Sequence, residues 1–261
     1  MPAELERLMA PHAAPEKVAG GFGFAQGPVY SRRGYLLFSD TVAGKVMKWE
    51  QGKVSVFREN TIGSSGLTFD HQGCLIACER GRVTRTGKDG KITVLADQLY
   101  APYDVVYAID GSIYFSSPAV TAGSSAIYQI TRKGETRVVS RDCELPGGVA
   151  LAPNQQKLYA GDTLRRKIWE YEIAADGTLR GGRVFAPAHA NGVKTDEMGN
   201  AWVADEHSIV VFDAHGQRLG EIPIPEDPSH CAWGEGFRNL YVTAKTSVYR
   251  IETKVNGTRT Y

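Results

Sequence analysis

Six times along its 261 residues the chain returns to one pattern: a short apolar run, a polar turn built on Gly, Asp or Asn, and a second apolar run. The strings are QGPVYSRRGYLLFSD from residue 26, SGLTFDHQGCLIACE from 65, YDVVYAIDGSIYFSS from 103, GGVALAPNQQKLYAGD from 147, NGVKTDEMGNAWVAD from 191 and HCAWGEGFRNLYVTA from 230. Their starts lie 39, 38, 44, 44 and 39 residues apart. Behind each comes an alternating segment such as KVMKWE, KIWEYEI or SVYRI, and most repeats continue through KDG, RKG, ADG or AHG into a fourth run. Period-two alternation bounded by turn residues marks antiparallel strands. Four strands every ~40 residues, six times over, predict an all-β chain, a six-bladed β-propeller of four-stranded antiparallel blades. One blade cannot bury both of its faces, so the six are expected to pack as a single domain over 15–261, with 1–14 as an N-terminal arm. Little chain follows SVYRI in the last repeat, and residues 17–24 are expected to supply its fourth strand and close the ring.

Charge and cysteine content narrow the function classes. A formal net charge of +1, with no long Lys/Arg block, gives no electrostatic reason to bind nucleic acid or an anionic membrane. No run approaches the roughly 18 apolar residues of a membrane span, and the N-terminal MPAELERLMAPHAAPEKVAGG has no signal-peptide core. Cys74 and Cys78 fall on one strand, about 13 Å apart at ~3.3 Å per residue, too far to bond. With Cys143 and Cys231 isolated, four free thiols and a cytoplasmic protein are expected. No GxSxG elbow, HExxH or CxxC pair is present. A small-molecule substrate is the expected partner, and the sequence does not indicate an oligomeric state.

Hairpin geometry then locates a site. The start of each first strand must lie beside the end of the second, so all such points fall on one rim of the central channel. The starts are Gln26, Ser65, Tyr103, Gly147, Asn191 and His230. The ends are Asp40, Glu79 with Arg80, Ser117, Asp162, Asp205 with Glu206, and Lys245. A concave mouth with convergent polar groups is the default ligand site. His230 suits general acid/base work because its unperturbed pKa lies near 6.5. Tyr103 can donate to a developing oxyanion, and Glu79 is a candidate base. Gln26, Ser65, Asn191, Asp205 and Lys245 are candidates for substrate binding. Asp40 and Asp162, in SDT and GDT, are expected to cap turn backbone through Asx-type bonds. The loop PAVTAGSSAI, 118–127, is expected to be short and to leave the mouth open.

The motifs GPVY with LLFSD, GLTFDHQGCLIACERGRVTR, PYDVV with GSIYFSSP, LYAGDT, NGVKTDEMGNAWVA and NLYVTAKTSVYRI resemble the family of senescence marker protein, gluconolactonase and luciferin-regenerating enzyme, over residues 21–251. That resemblance implies six blades and a lactonase or related hydrolase with a divalent ion in the channel. It also places the family's ligating Glu at Gln26, the Asn facing metal-bound water or substrate at Tyr103, the ligating Asn at Gly147 and the ligating Asp at Asn191. Asp104 matches a family Asp read as structural. Hard divalent cations need oxygen ligands, and affinity tracks carboxylate count. A unit pair near 4 Å is worth about 4 kcal/mol at an effective dielectric of ~20, and about 8 for a divalent ion. Losing both carboxylates therefore disables a metal site of this type, and no metal and no cofactor is expected. The leading expectation is a metal-independent enzyme hydrolysing a lactone or running a related cyclisation, isomerisation or elimination. The alternatives are an inactive metabolite-binding propeller and a divalent-metal lactonase with rearranged ligands.

Overall fold

The computed structural model describes residues 2–121 and 123–258; Ala122 of the 118–127 loop and residues 259–261 lie outside the described residues. Six antiparallel sheets of four strands each follow one another along the chain. Five are contiguous in sequence, from Ala25–Ser31 through Lys53–Arg58 in the first to Gly192–Thr195 through Arg218–Pro223 in the fifth. The sixth takes Pro228–Gly234, Asn239–Ala244 and Ser247–Glu252 from the C-terminal end and Glu16–Gly20 from the N-terminal end. Glu16–Gly20 pairs antiparallel with Ser247–Glu252, Glu16 opposite Arg250. The ring is thus closed by an N-terminal strand, as the short sixth repeat requires. Among the described residues no helix is long and apolar enough to cross a membrane.

The first strand of each blade is innermost, and each packs against its successor, the sixth returning to the first. Burial follows position: the second strands Leu75–Glu79 and Ile113–Ser117 are buried throughout, whereas the outer strand Lys53–Arg58 is exposed at every residue but Arg58. Apolar clusters fill the interfaces between blades; Val106, Leu151 and Leu158 pack in one, and Trp202, Trp233 and Leu240 in another. Hydroxyls near the channel staple neighbouring blades. Ser39 donates to the Ser65 carbonyl at 2.9 Å, Ser116 to that of Gly147 at 2.6 Å and Ser229 to that of Ala25 at 2.6 Å.

The arm is docked rather than frayed. A short helix, Ala3–Glu6, puts Leu5 into the cluster containing Trp202 and Trp233, and Leu8 and Met9 join it. Leu5 has no exposed surface.

Candidate active site at the channel mouth

The six inner strands enter the channel through a shared register. The second residue of each entry is Gly27, Gly66, Asp104, Gly148, Gly192 and His230. Glycine dominates because the strands nearly touch there. A Cβ at Gly27 would lie 2.1 Å from the Ser65 carbonyl oxygen, and one at Gly192 2.6 Å from His230 Cγ. The pairing in the sixth blade sets Pro228 opposite Ala244 and, after a bulge, His230 opposite Thr243. The fourth blade sets Pro146 opposite Asp162 and Val149 opposite Ala160. Counting from those pairs, Ser229, not His230, matches Gln26 and Asn191. His230 therefore sits one residue deeper than its expected place at the rim, and one residue reverses the side of the strand a side chain occupies.

That depth creates a feature the hairpin argument did not foresee. Asp104 and His230 are the two non-glycine members of the tight ring, and they come from the third and sixth blades, opposite one another across the axis. Asp104 Oδ2 lies 2.8 Å from His230 Nε2 and 3.7 Å from Lys194 Nζ, and accepts the Val149 N–H at 2.8 Å. Both Asp104 and His230 are 1% exposed. Burial alone would raise the Asp104 pKa; His230 first and Lys194 next, with the Val149 N–H, bring it down to about 2. His230 Nδ1 lies 2.8 Å from the Cys231 backbone nitrogen and 3.0 Å from its carbonyl oxygen, while Nε2 faces Asp104. Nε2 makes no well-aligned hydrogen bond, so the contact with the carboxylate is a close electrostatic one. Buried beneath the rim, His230 does not present a nitrogen to the mouth, where it was expected to act as acid or base. Below the pair the channel narrows to an apolar slot lined by Val29, Leu151 and Trp233, with Lys194 on its wall.

Above the pair lies an open recess bordered by Gln26, Ser65, Arg80 and Tyr103, with Phe24, Ile62 and Pro102 as apolar walls. Tyr103 is half-buried. Burial first and the Asp104 charge second raise its pKa well above the usual phenol value, so it stays protonated. Gln26 lies beside the phenol and pulls the other way. Ser65 Oγ donates to the Pro102 carbonyl at 3.0 Å.

The remaining candidates are dispersed. Glu79 is fully buried, its Oε1 held by Arg58 and by Thr84 at 2.8 Å, its Oε2 by Arg82 Nη2 at 2.8 Å. Burial would raise its pKa, but these donors, Arg82 first, lower it. Glu79 is thus a cross-blade ion pair and is removed as a base, because both oxygens are committed. Asn191 Nδ2 reaches the Pro228 carbonyl at 3.4 Å. Asp205 caps the backbone N–H groups of His189 and Glu206 at 3.1 and 2.8 Å. Asp40 and Asp162 also cap backbone, at Gly23, Phe24 and Ala43 and at Glu144, Leu145 and Arg165. Lys245 pairs with Asp227 at 2.6 Å on the exposed rim, and Asp227 also contacts His207. All four cysteines are buried and free.

A divalent ion of the kind the resemblance implies does not fit these residues. The four ligand places hold the amide of Gln26, the phenol of Tyr103, the glycine Gly147 and the amide of Asn191. A Cβ at Gly147 would lie 2.6 Å from the Ala190 carbonyl oxygen and 2.8 Å from Thr163 Cγ2, so no ligating side chain has room there. Among the described residues no group of three or more His, Cys, Asp or Glu side chains is arranged to hold a metal.

Comparison with known proteins agrees with this architecture. A gluconolactonase of Zymomonas mobilis is 25% identical over 291 aligned positions, covering 93% of this chain and 82% of that one. The structure of a Xanthomonas campestris gluconolactonase superposes with a TM-score of 0.89 at 26% identity, covering 97% of this chain and 93% of the other. Regucalcin of Agrobacterium tumefaciens, described as a calcium-binding protein, shares the fold with a TM-score of 0.84 at 15% identity, over 94% and 95% of the two chains. The model of the SMP-30/gluconolactonase/LRE-like region matches residues 24–246. With that match spanning most of the propeller, the chain belongs to the SMP-30/gluconolactonase/LRE-like family.

Proposed function

We propose that this protein hydrolyses a small lactone in the recess above the Asp104–His230 pair, without a bound divalent ion. One observation carries the reading: Tyr103 lines the recess beside Gln26 and the apolar walls, and its phenol, whose pKa is raised by burial and by Asp104, is a proton donor at neutral pH. A lactone carbonyl seated over Tyr103 accepts that hydrogen bond, and the bond strengthens as water adds and charge collects on the carbonyl oxygen. The apolar walls hold the ring so that the carbonyl meets the phenol. Lining side chains supply no free carboxylate or imidazole, so water attacks without a resident general base, and the rate gain comes from orientation and oxyanion stabilisation. Cyclisation, isomerisation and elimination all call for a base in contact with substrate, which weighs against them.

The experiment is Tyr103→Phe assayed on D-glucono-1,5-lactone in chelator-treated buffer. Loss of one oxyanion donor typically lowers kcat by about 10²–10³, with KM little changed. A variant within threefold of wild type removes the assignment. The commitment of Glu79 and the burial of His230 favour a second reading, a propeller that binds a metabolite and does not turn it over. Recovery of a tightly bound lactone unaltered after prolonged incubation, above the buffer rate, would select it.

A further inference from the structure

Arg80 follows directly on the strand Leu75–Glu79 and is the one charged residue that lines the recess among those described. Its backbone N–H is pinned to the Ile62 carbonyl at 2.8 Å, which fixes where the side chain departs. Three arginines gather near Glu79, and the carboxylate takes two of them: Arg58 and Arg82 bind its oxygens. Arg80 is exposed and its guanidinium has no acidic partner among the described residues. The acid next to the recess wall, Asp40, spends its oxygens on the N–H groups of Gly23, Phe24 and Ala43. The other cations of the rim, Lys245 and Arg166, are paired with Asp227 and Glu206. The recess therefore has a phenol donor at one side, apolar walls, and an uncompensated planar cation at the other.

We propose that Arg80 receives a negative group carried by the substrate away from its reacting carbonyl, so that the preferred substrate is an anionic lactone bearing a carboxylate or a phosphate. This rests on the recess being the substrate site. A guanidinium offers two parallel N–H donors that match either oxyanion, and such pairs fix orientation as well as adding affinity. With the anion on Arg80, the lactone ring lies across the wall made by Phe24 and Ile62 and its carbonyl comes to Tyr103. Exposure of Arg80 makes the pairing sensitive to salt.

The test compares kcat/KM for neutral D-glucono-1,5-lactone with that for its 6-phosphate and for a glucarolactone, at low ionic strength in chelator. Wild type is expected to favour at least one anionic lactone about tenfold or more, the favoured one identifying phosphate or carboxylate. In Arg80→Gln that ratio collapses by about tenfold, in Arg80→Lys it is partly kept, and in wild type 0.5 M salt erodes it. No anionic preference, or a preference unchanged in Arg80→Gln, overturns the proposal. Calorimetric binding of the stable acids 6-phosphogluconate and glucarate, against neutral glucitol, separates it from the hydrolytic reading. If no lactone is turned over, yet an acid binds wild type about tenfold more tightly than Arg80→Gln, the anion site stands and hydrolysis falls. Equal binding to both proteins overturns the anion site whatever the turnover.

Discussion

Replacing Asp104 by Asn tests whether the axial pair holds the ring together. The carboxylate touches three other blades: Val149 N–H in the fourth, Lys194 in the fifth and His230 in the sixth. Its pKa falls from an ordinary 3.8 to about 2, which favours the ionised folded form by roughly 2 kcal/mol. Because the folded pKa is the lower one, this stabilisation is present above about pH 4 and disappears as the pH falls through about 2. Asn can still accept from Val149, but it leaves Lys194 and His230 facing a neutral group in a buried site, and breaking a buried pair usually costs about 3–5 kcal/mol. The expected loss for Asp104→Asn at pH 7 is therefore roughly 3 kcal/mol in urea unfolding, shrinking toward zero between pH 4 and pH 2. A double-mutant cycle with His230→Gln adds a second readout, since the His230 change should cost at least 1 kcal/mol less once Asp104 is gone. A loss under 0.5 kcal/mol at neutral pH, or one independent of pH, refutes the reasoning.

Glu79→Gln should destabilise by about 3 kcal/mol in the same assay, since Arg58 is left buried without its counter-charge, while lactone turnover is unchanged. A large loss of kcat with normal stability would return Glu79 to the catalytic set. Prolonged chelation should alter neither melting temperature nor turnover, and millimolar Ca²⁺ or Zn²⁺ should not raise the melting temperature; a rise of several degrees would mean a metal site exists. Leu5→Ala, in the docked arm, should cost about 2–4 kcal/mol for a fully buried leucine, measurable by denaturant midpoint, whereas a frayed arm predicts no change.

The propeller was legible because its signals are local and repeated. LLFS, IYFS and LYAG each precede or follow a turn rich in Gly, Asp or Asn, and six copies of a weak signal make a strong one. The capping roles of Asp40 and Asp162 were legible in part: the turns after them place the N–H groups of Ala43 and Arg165 three residues on, whereas Gly23, Phe24, Glu144 and Leu145 lie 16 to 18 residues back. The position of His230 was not, because PSHCAW has no glycine at the second entry position to mark the register, and the one-residue bulge there is shared with the first and fourth blades. Lining up the second residues of the six entries as G, G, D, G, G, H would have exposed Asp104 and His230 together. Lys194 had a weaker signal, a cation in GVKT where the other inner strands carry Val29, Thr68, Val106, Ala150 and Ala232. The pairing of Glu79 with Arg58 joins two blades, and no short-range pattern reports a contact of that kind.

Charge at the axis explains why the lost ligands and the gained pair belong together. An anion buried beside the channel, such as Asp104, is costly unless a positive group neutralises it. In this chain the positive groups are covalent parts of the protein: Lys194 and His230 stand within 3.7 and 2.8 Å of Asp104 and supply the balance directly. A divalent ion placed just above them would meet the Lys194 cation and the His230 ring below, an amide and a phenol at Gln26 and Tyr103, and no carboxylate in the four ligand places. Reverting Gln26 alone to Glu cannot recreate the site, since the third ligand place is Gly147, closed by the Ala190 carbonyl. The same internal charge reaches Tyr103: burial first and ionised Asp104 second raise the phenol pKa, so the proton donor of the recess senses the pair beneath it. Stability and activity are thereby tied to one carboxylate, and any change that neutralises Asp104 should weaken the ring and alter the phenol together.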